Sequence, residues 1–173
     1  MNIPVLSCLL LIYLEVTFIW ILSLFLKDTS IMDVFWGSGF TILAIFLLLT
    51  ARTYFIRQII LTGMVTLWGM RLSVYLFKRN LGKPEDFRYR AWRSASGKKW
   101  WWKSYSQVFL FQGSMMLLVS LPIIVIQSNL QQPALNIVDG IGISSGWLGL
   151  QSKVQLTGRW QSSKAIRKTG AEY

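Results

Sequence analysis

Long apolar runs separated by short polar interruptions dominate the chain. The first covers residues 4–26 and is broken only by Glu15; the turn Lys27-Asp28-Thr29-Ser30 separates it from a second run over 31–50. Arg52 and Arg57 flank the next connection, and a third run, 56–77, is ended by Lys78-Arg79-Asn80 and the turn at Gly82-Lys83-Pro84. A helix needs about 20 mainly apolar residues to cross a bilayer, so each run predicts a transmembrane helix. Residues 78–104 carry too much charge to insert and predict a basic loop. Residues 105–127 predict a fourth span, kinked at Pro122. The run 135–150 is short and rich in Gly and Ser. Small residues permit close helix packing, so it predicts a fifth helix that packs on the bundle or lies partly in the interface. The predicted fold is all-α: a polytopic transmembrane helical bundle of four to five spans over 1–150, with a basic tail at 151–173. No internal repeat or low-complexity linker is present.

Composition supports this class. The 173 residues are 53% hydrophobic and 14% charged, about half the charge of an ordinary soluble domain. The net charge is +11, which by itself would fit nucleic acid. Its distribution does not: most Lys and Arg fall between Lys78 and Lys103 or between Lys153 and Lys168, beside apolar segments. That is the pattern of the cytosolic side of a membrane protein, so membrane lipid rather than nucleic acid is the expected partner. The stretch 127–136 has no Lys or Arg. Placing the basic loop in the cytosol therefore puts the N-terminus outside and the tail inside. The first run lacks a preceding basic region and reads as a retained anchor rather than a cleaved signal. The triple Trp100-Trp101-Trp102, set between Lys98-Lys99 and Lys103, reads as an interfacial anchor.

The chain has one Cys and no His. An internal disulfide, a zinc site and His-dependent nucleophilic catalysis are thereby excluded, and no metal ligands are expected. Cys8 reads as a small buried side chain. No glycine-rich phosphate loop follows a strand, which removes Rossmann and P-loop readings; Gly37 and Gly39 instead predict close helix contact. Chemistry then rests on polar groups in apolar segments. Glu15 sits mid-membrane. Asp33 and Arg71 lie at similar depths, where an ion pair is feasible, and a charge at membrane depth marks either pairing or function. Arg71 and Tyr75 are four residues apart and share a helix face, so Tyr75 is a candidate proton donor. Glu85-Asp86 amid Arg79, Lys83, Arg88, Arg90 and Arg93 predicts an ion-pair network folding a short cap, or a cradle for phosphates or lipid headgroups.

Three groups of residues carry a family resemblance. They are Asp33-x-x-Trp36-Gly37-x-Gly39-Phe40, then Trp68-Gly69-x-Arg71-Leu72-x-x-Tyr75-Leu76-x-x-Arg79 with Gly82-Lys83-x-Glu85-Asp86-x-Arg88-Tyr89 and Arg93, and finally Gln112 with Ser120-Leu121-Pro122. Together they resemble the membrane family related to steroid 5-alpha-reductases, in particular its branch of uncharacterised proteins labelled as a domain of unknown function. The resemblance covers about residues 33–150. It implies a multi-helix enzyme of the endoplasmic reticulum or the bacterial inner membrane that uses NADPH to reduce a C=C bond conjugated to a carbonyl in a lipophilic small molecule. On that reading Tyr75 and Glu15 are the catalytic candidates, and Arg71, Arg79, Arg88, Tyr89 and Arg93 the cofactor-binding ones. The chain departs from the pattern distally. Relatives carry an acid or amide, then an acid four residues later, where this chain has Gln155 and Arg159. The tail Ile166-Arg167-Lys168-Thr169-Gly170 faintly matches a basic loop in relatives. The chain stops at Tyr173, before their terminal Arg-His-Pro-Asn-Tyr-like motif. The expectation is a reductase-like protein missing its cofactor lobe; the alternative is a non-catalytic membrane protein whose basic loops contact anionic lipid. A methyltransferase of the isoprenylcysteine type needs the same terminal motif and ranks last.

Overall fold

The computed structural model describes residues 5–129 and 134–151, which are almost wholly helical and include no strand. Helix α1 is Val5–Leu26, α2 Ile31–Ala51, α3 Ile56–Asn80 and α4 Phe87–Ser96. A 3-10 turn at Gly97–Lys99 leads into the short α5, Trp100–Ser104, and a π-helical turn, Tyr105–Leu110, joins it to α6, Phe111–Ser128. Among the described residues, four stretches are long and apolar enough to cross a membrane: α1, α2, α3 and the continuous Phe87–Ser128. The expected fifth helix forms as α7, residues 137–151. The chain divides into two compact units, 1–132 and 133–173, so α7 belongs to the second unit. The expected tail falls, from residue 152 onward, outside the described residues.

Helix α1 is apolar all round, as a membrane span is. Its buried stripe, Cys8, Ile12, Val16, Ile19 and Ser23, follows helical spacing, while Leu6, Leu10, Leu14, Phe18 and Phe25 are exposed. Such an outer face suits hydrocarbon rather than water. Helix α2 is the centre of the unit and packs against α1, α3 and α6. It meets α3 at two glycines, each placed so that a Cβ on one would strike the backbone carbonyl of the other: Gly37 and Gly69. The Ser38 amide donates to Ser73 Oγ at 3.0 Å beside them, and Phe40 packs edge-on against Trp68. Close approach through small residues is how apolar helices associate without a hydrophobic drive. Helix α1 is joined to the α5–α6 region by Tyr13 Oη to Ser114 Oγ (3.0 Å), Thr17 Oγ1 to Tyr105 Oη (3.1 Å) and the Trp20 indole N–H to the Trp101 carbonyl (3.1 Å).

Two ends are distinguishable. The turn after α1 and the 81–86 connection after α3 lie together at one, called here the loop end. At the far end, fully buried Gln58 and Gln127 clasp α3 to α6. Gln58 Nε2 donates to the Gln127 carbonyl (3.1 Å), and Gln127 Nε2 donates to Thr62 Oγ1 (2.7 Å) and to the Gln58 carbonyl (3.3 Å). Gln58 Oε1 also accepts from Thr53 Oγ1 and the Phe55 amide. Truncating Gln127 strands the Thr62 hydroxyl and leaves a cavity, and an orphaned buried polar group costs about 1–3 kcal/mol. Gln127→Ala is therefore expected to lower the unfolding midpoint in detergent, with Gln127→Glu not restoring it.

The structure differs from the sequence expectation in three places. Helix α3 runs to Asn80, one turn beyond 77. Most of 87–104, expected as loop, is helical: Asp86 caps α4 by accepting the Arg88 amide at 3.0 Å, and Gly97, at φ 52°, ends it in the left-handed region that favours glycine. Trp100 of the expected interfacial triplet is buried, and only Trp101 and Trp102 are exposed.

Candidate functional site at the loop end

The short cap after α3 is folded by an ion pair whose acid is buried and whose base is partly exposed. Arg93 reaches back from α4 to Glu85 with two hydrogen bonds, Nη2 to Oε1 at 2.8 Å and Nε to Oε2 at 3.0 Å. The Glu85 side chain is only 8% exposed, so its lone pairs need donors. The Thr29 amide supplies another at 2.8 Å. Arg93 Nη2 also donates to the Lys27 carbonyl and to Thr29 Oγ1, its guanidinium lying over the Trp100 ring. One residue on, the Asp86 amide donates to Ser30 Oγ at 2.8 Å. The acidic pair thus grips the 27–30 turn, joining α1–α2 to α3–α4. Burial pushes the Glu85 carboxyl up, but the Arg93 and Thr29 donors outweigh it and hold the group below its usual range. Asp86 is held low by the side chain and amide of Arg88.

Beneath this clasp lies a second polar group. The Tyr89 hydroxyl donates to Asp33 Oδ1 at 3.3 Å and accepts from Gln112 Nε2 at 3.4 Å. Arg88 bonds Asp86 through Nε at 3.0 Å and stands 3.9 Å from Asp33 Oδ2. Arg79 is near enough for its charge to act on both Asp33 and Asp86. Helices α2, α4 and α6 therefore converge on one phenol held between a carboxylate and an amide, with Tyr89 itself buried. A phenol so placed can pass a proton, and the guanidinium beside Asp33 compensates its charge.

Of the residues singled out from sequence, Arg79, Arg88, Tyr89 and Arg93 lie in this region. Arg71 sits half-buried on α3, and the ion pair on Asp33 is made by Arg88 rather than Arg71. Tyr75 is 45% exposed on α3 and has no hydrogen bond among the described residues. Glu15 lies elsewhere again, deeper between α1, α2 and α6. Its Oε1 is buried, without a donor among the described residues, and faces Gly39, where an added Cβ would also meet Met116. Gln112 has only its place in the family pattern as a signal, and Thr29 and Ser30 only their place in a polar turn. Trp100, expected at the interface, is instead buried beneath Arg93. Gln155, Arg159 and the 166–170 segment lie outside the described residues.

The family described as "Protein of unknown function (DUF1295)" matches residues 19–163, a segment that contains every residue of the loop-end site. No curated protein and no solved structure matches significantly.

Proposed function

The chain belongs to the DUF1295 family of proteins of unknown function, and on that premise we propose that it is a membrane reductase of conjugated C=C bonds whose proton-handling group is the Asp33–Tyr89–Gln112 cluster. The observation that carries this reading is the buried Tyr89 phenol, held by an acid and an amide at the head of an apolar bundle. Its substrate class is lipid-soluble, with a carbonyl conjugated to the double bond, as in the steroid 5-alpha-reductases that the chain resembles.

The cofactor in that chemistry is NADPH, and the exposed basic rim fits its phosphates in part. Arg79 is exposed, and Arg88 is 54% exposed with only part of its fork used by Asp86, so both retain donors for an anion. Arg93 does not fit, because Glu85, Lys27 and Thr29 already take its donors. When bound, NADPH would supply the hydride of the reduction. The Tyr89 phenol is placed to give its proton to the substrate as it is reduced. Gln112 donates to the phenolate left behind, Arg88 stands 3.9 Å from Asp33, and water at the loop end returns the proton. Glu15, about one helical turn (roughly 6 Å) deeper along α6 than Gln112 by the rise from 112 to 116, meets the buried end of the substrate.

The test uses the full chain in detergent with NADPH and a steroid 4-en-3-one as probe. Tyr89→Phe is expected to bind NADPH normally and to lose at least about 100-fold in turnover, the scale of a lost general acid, while Tyr75→Phe loses little. The reverse ranking would move the proton donor to α3. Absence of NADPH binding at millimolar concentration would remove the reductase reading altogether.

A further inference from the structure

The turn between α4 and α6 carries a surface that the loop-end chemistry does not use. Lys98, Lys99 and Lys103 are all exposed, and none makes an ion pair among the described residues. Trp101 and Trp102 stand between them, each more than half exposed. Helical spacing of three and four links Lys98 to Trp101 and Trp102, and Lys99 to Trp102 and Lys103, so ammonium groups and indoles occupy adjoining ground.

This surface is rigidly held. Trp100 is turned inward under the Arg93 guanidinium, and Ser104 is buried with its hydroxyl on the Trp101 carbonyl. The same carbonyl accepts the Trp20 indole N–H from α1. The Trp102 ring packs on Tyr105, which in turn packs on Trp20 with centroids 4.7 Å apart. Three exposed lysines, without an ion pair among the described residues, are thus carried on a held backbone beside indole rings.

We propose that this surface binds an anionic phospholipid in the leaflet at the loop end, the ammonium groups taking the phosphate and the indoles lying at the headgroup boundary. The occupant follows from charge complementarity and from the ring type. Lysines near a membrane surface favour anionic lipid, and indole rings favour the headgroup layer. The acids of the cap cannot neutralise the patch, because Glu85 is taken by Arg93 and Asp86 by Arg88.

The experiment is native mass spectrometry of the full chain, released from nanodiscs of equal phosphatidylglycerol and phosphatidylcholine. Wild type is expected to retain the anionic lipid about five- to tenfold over the zwitterionic one. The combined Lys98→Gln, Lys99→Gln and Lys103→Gln variant is expected to show near-equal retention, and Lys83→Gln with Arg90→Gln to keep the preference. Equal retention by wild type would overturn the proposal. So would a preference that survives in the three-lysine variant but disappears in the Lys83, Arg90 variant. All the substituted side chains are exposed, and an unchanged unfolding midpoint verifies the fold of each variant.

Discussion

Replacing Gly69 by Leu is expected to prevent α2 and α3 from closing. A Cβ at either Gly69 or Gly37 meets the backbone carbonyl of the other helix, and backbone cannot swing aside as a side chain can. Overpacking a well-filled interface typically costs about 1–3 kcal/mol, occasionally more. Here the obstacle is main chain on both sides, and the loss should reach about 3 kcal/mol or above. For a chain of this length that corresponds to a fall of about 6–12 °C in unfolding midpoint. Parting the helices also breaks the Ser38–Ser73 hydrogen bond and the Phe40–Trp68 contact. Gly69→Ala should show a smaller version of the same loss. By contrast, Gly63 on the same helix has nothing within 4 Å of its Cβ position, so Gly63→Ala should be neutral or slightly stabilising, since Ala is the better helix former by about 1 kcal/mol. Thermal unfolding in detergent compares the three, and a wild-type midpoint for Gly69→Leu would refute the packing described.

Arg93→Leu is expected to release the cap. The change leaves Glu85 buried without its main donor, and breaking one side of a buried pair costs about 3–5 kcal/mol. Arg93 itself is 35% exposed, which places the effect toward the lower end. The double variant Glu85→Leu with Arg93→Leu should recover much of the loss, because no orphaned charge remains. Arg93→Lys should not, since an ammonium cannot reproduce the two-pronged contact. Tryptic cleavage at Lys98 and Lys99 reports cap opening, and the single variant should be cut faster than the double. The pH dependence has a definite sign. Glu85 is held below its ordinary value of 4.5, so its contribution is complete above that value and is lost as pH falls through the lowered folded value. The cap should stay closed near neutrality and loosen in acid. Arg93→Leu should abolish most of that acid sensitivity, and a retained acid transition would contradict the assignment to Glu85.

Much of the fold was legible because long apolar runs leave little choice: α1, α2, α3 and the membrane-length part of α6 all lie where residue spacing placed them. Residues 87–104 carry a charge density typical of loops, yet most of them are helical. The cues for helix were present in the cap at Asp86 and in the inward positions Tyr89, Arg93 and Trp100, which recur at helical intervals. The candidate site was half legible. Asp33, Tyr89, Arg88 and Gln112 were all singled out, but their grouping was not, since 56 residues separate Asp33 from Tyr89 and no local pattern selects Arg88 over Arg71 as the acid's partner. The Gln58–Gln127 clasp was illegible for the same reason: each amide is a lone polar residue within apolar surroundings, and only the folded bundle makes them neighbours. The π-helical turn at Tyr105–Leu110 has no counterpart in the local residue pattern.

The clasp on the first turn also sets an order of events during synthesis. Arg93 bonds the carbonyl of a residue made sixty-six positions earlier, Lys27. At translation rates of about 5–20 residues per second, roughly three to thirteen seconds pass between the two leaving the peptidyl-transferase centre. Through that interval the α1–α2 hairpin must insert with its polar bend unlatched, and the nascent chain becomes a closed assembly only when α4 emerges.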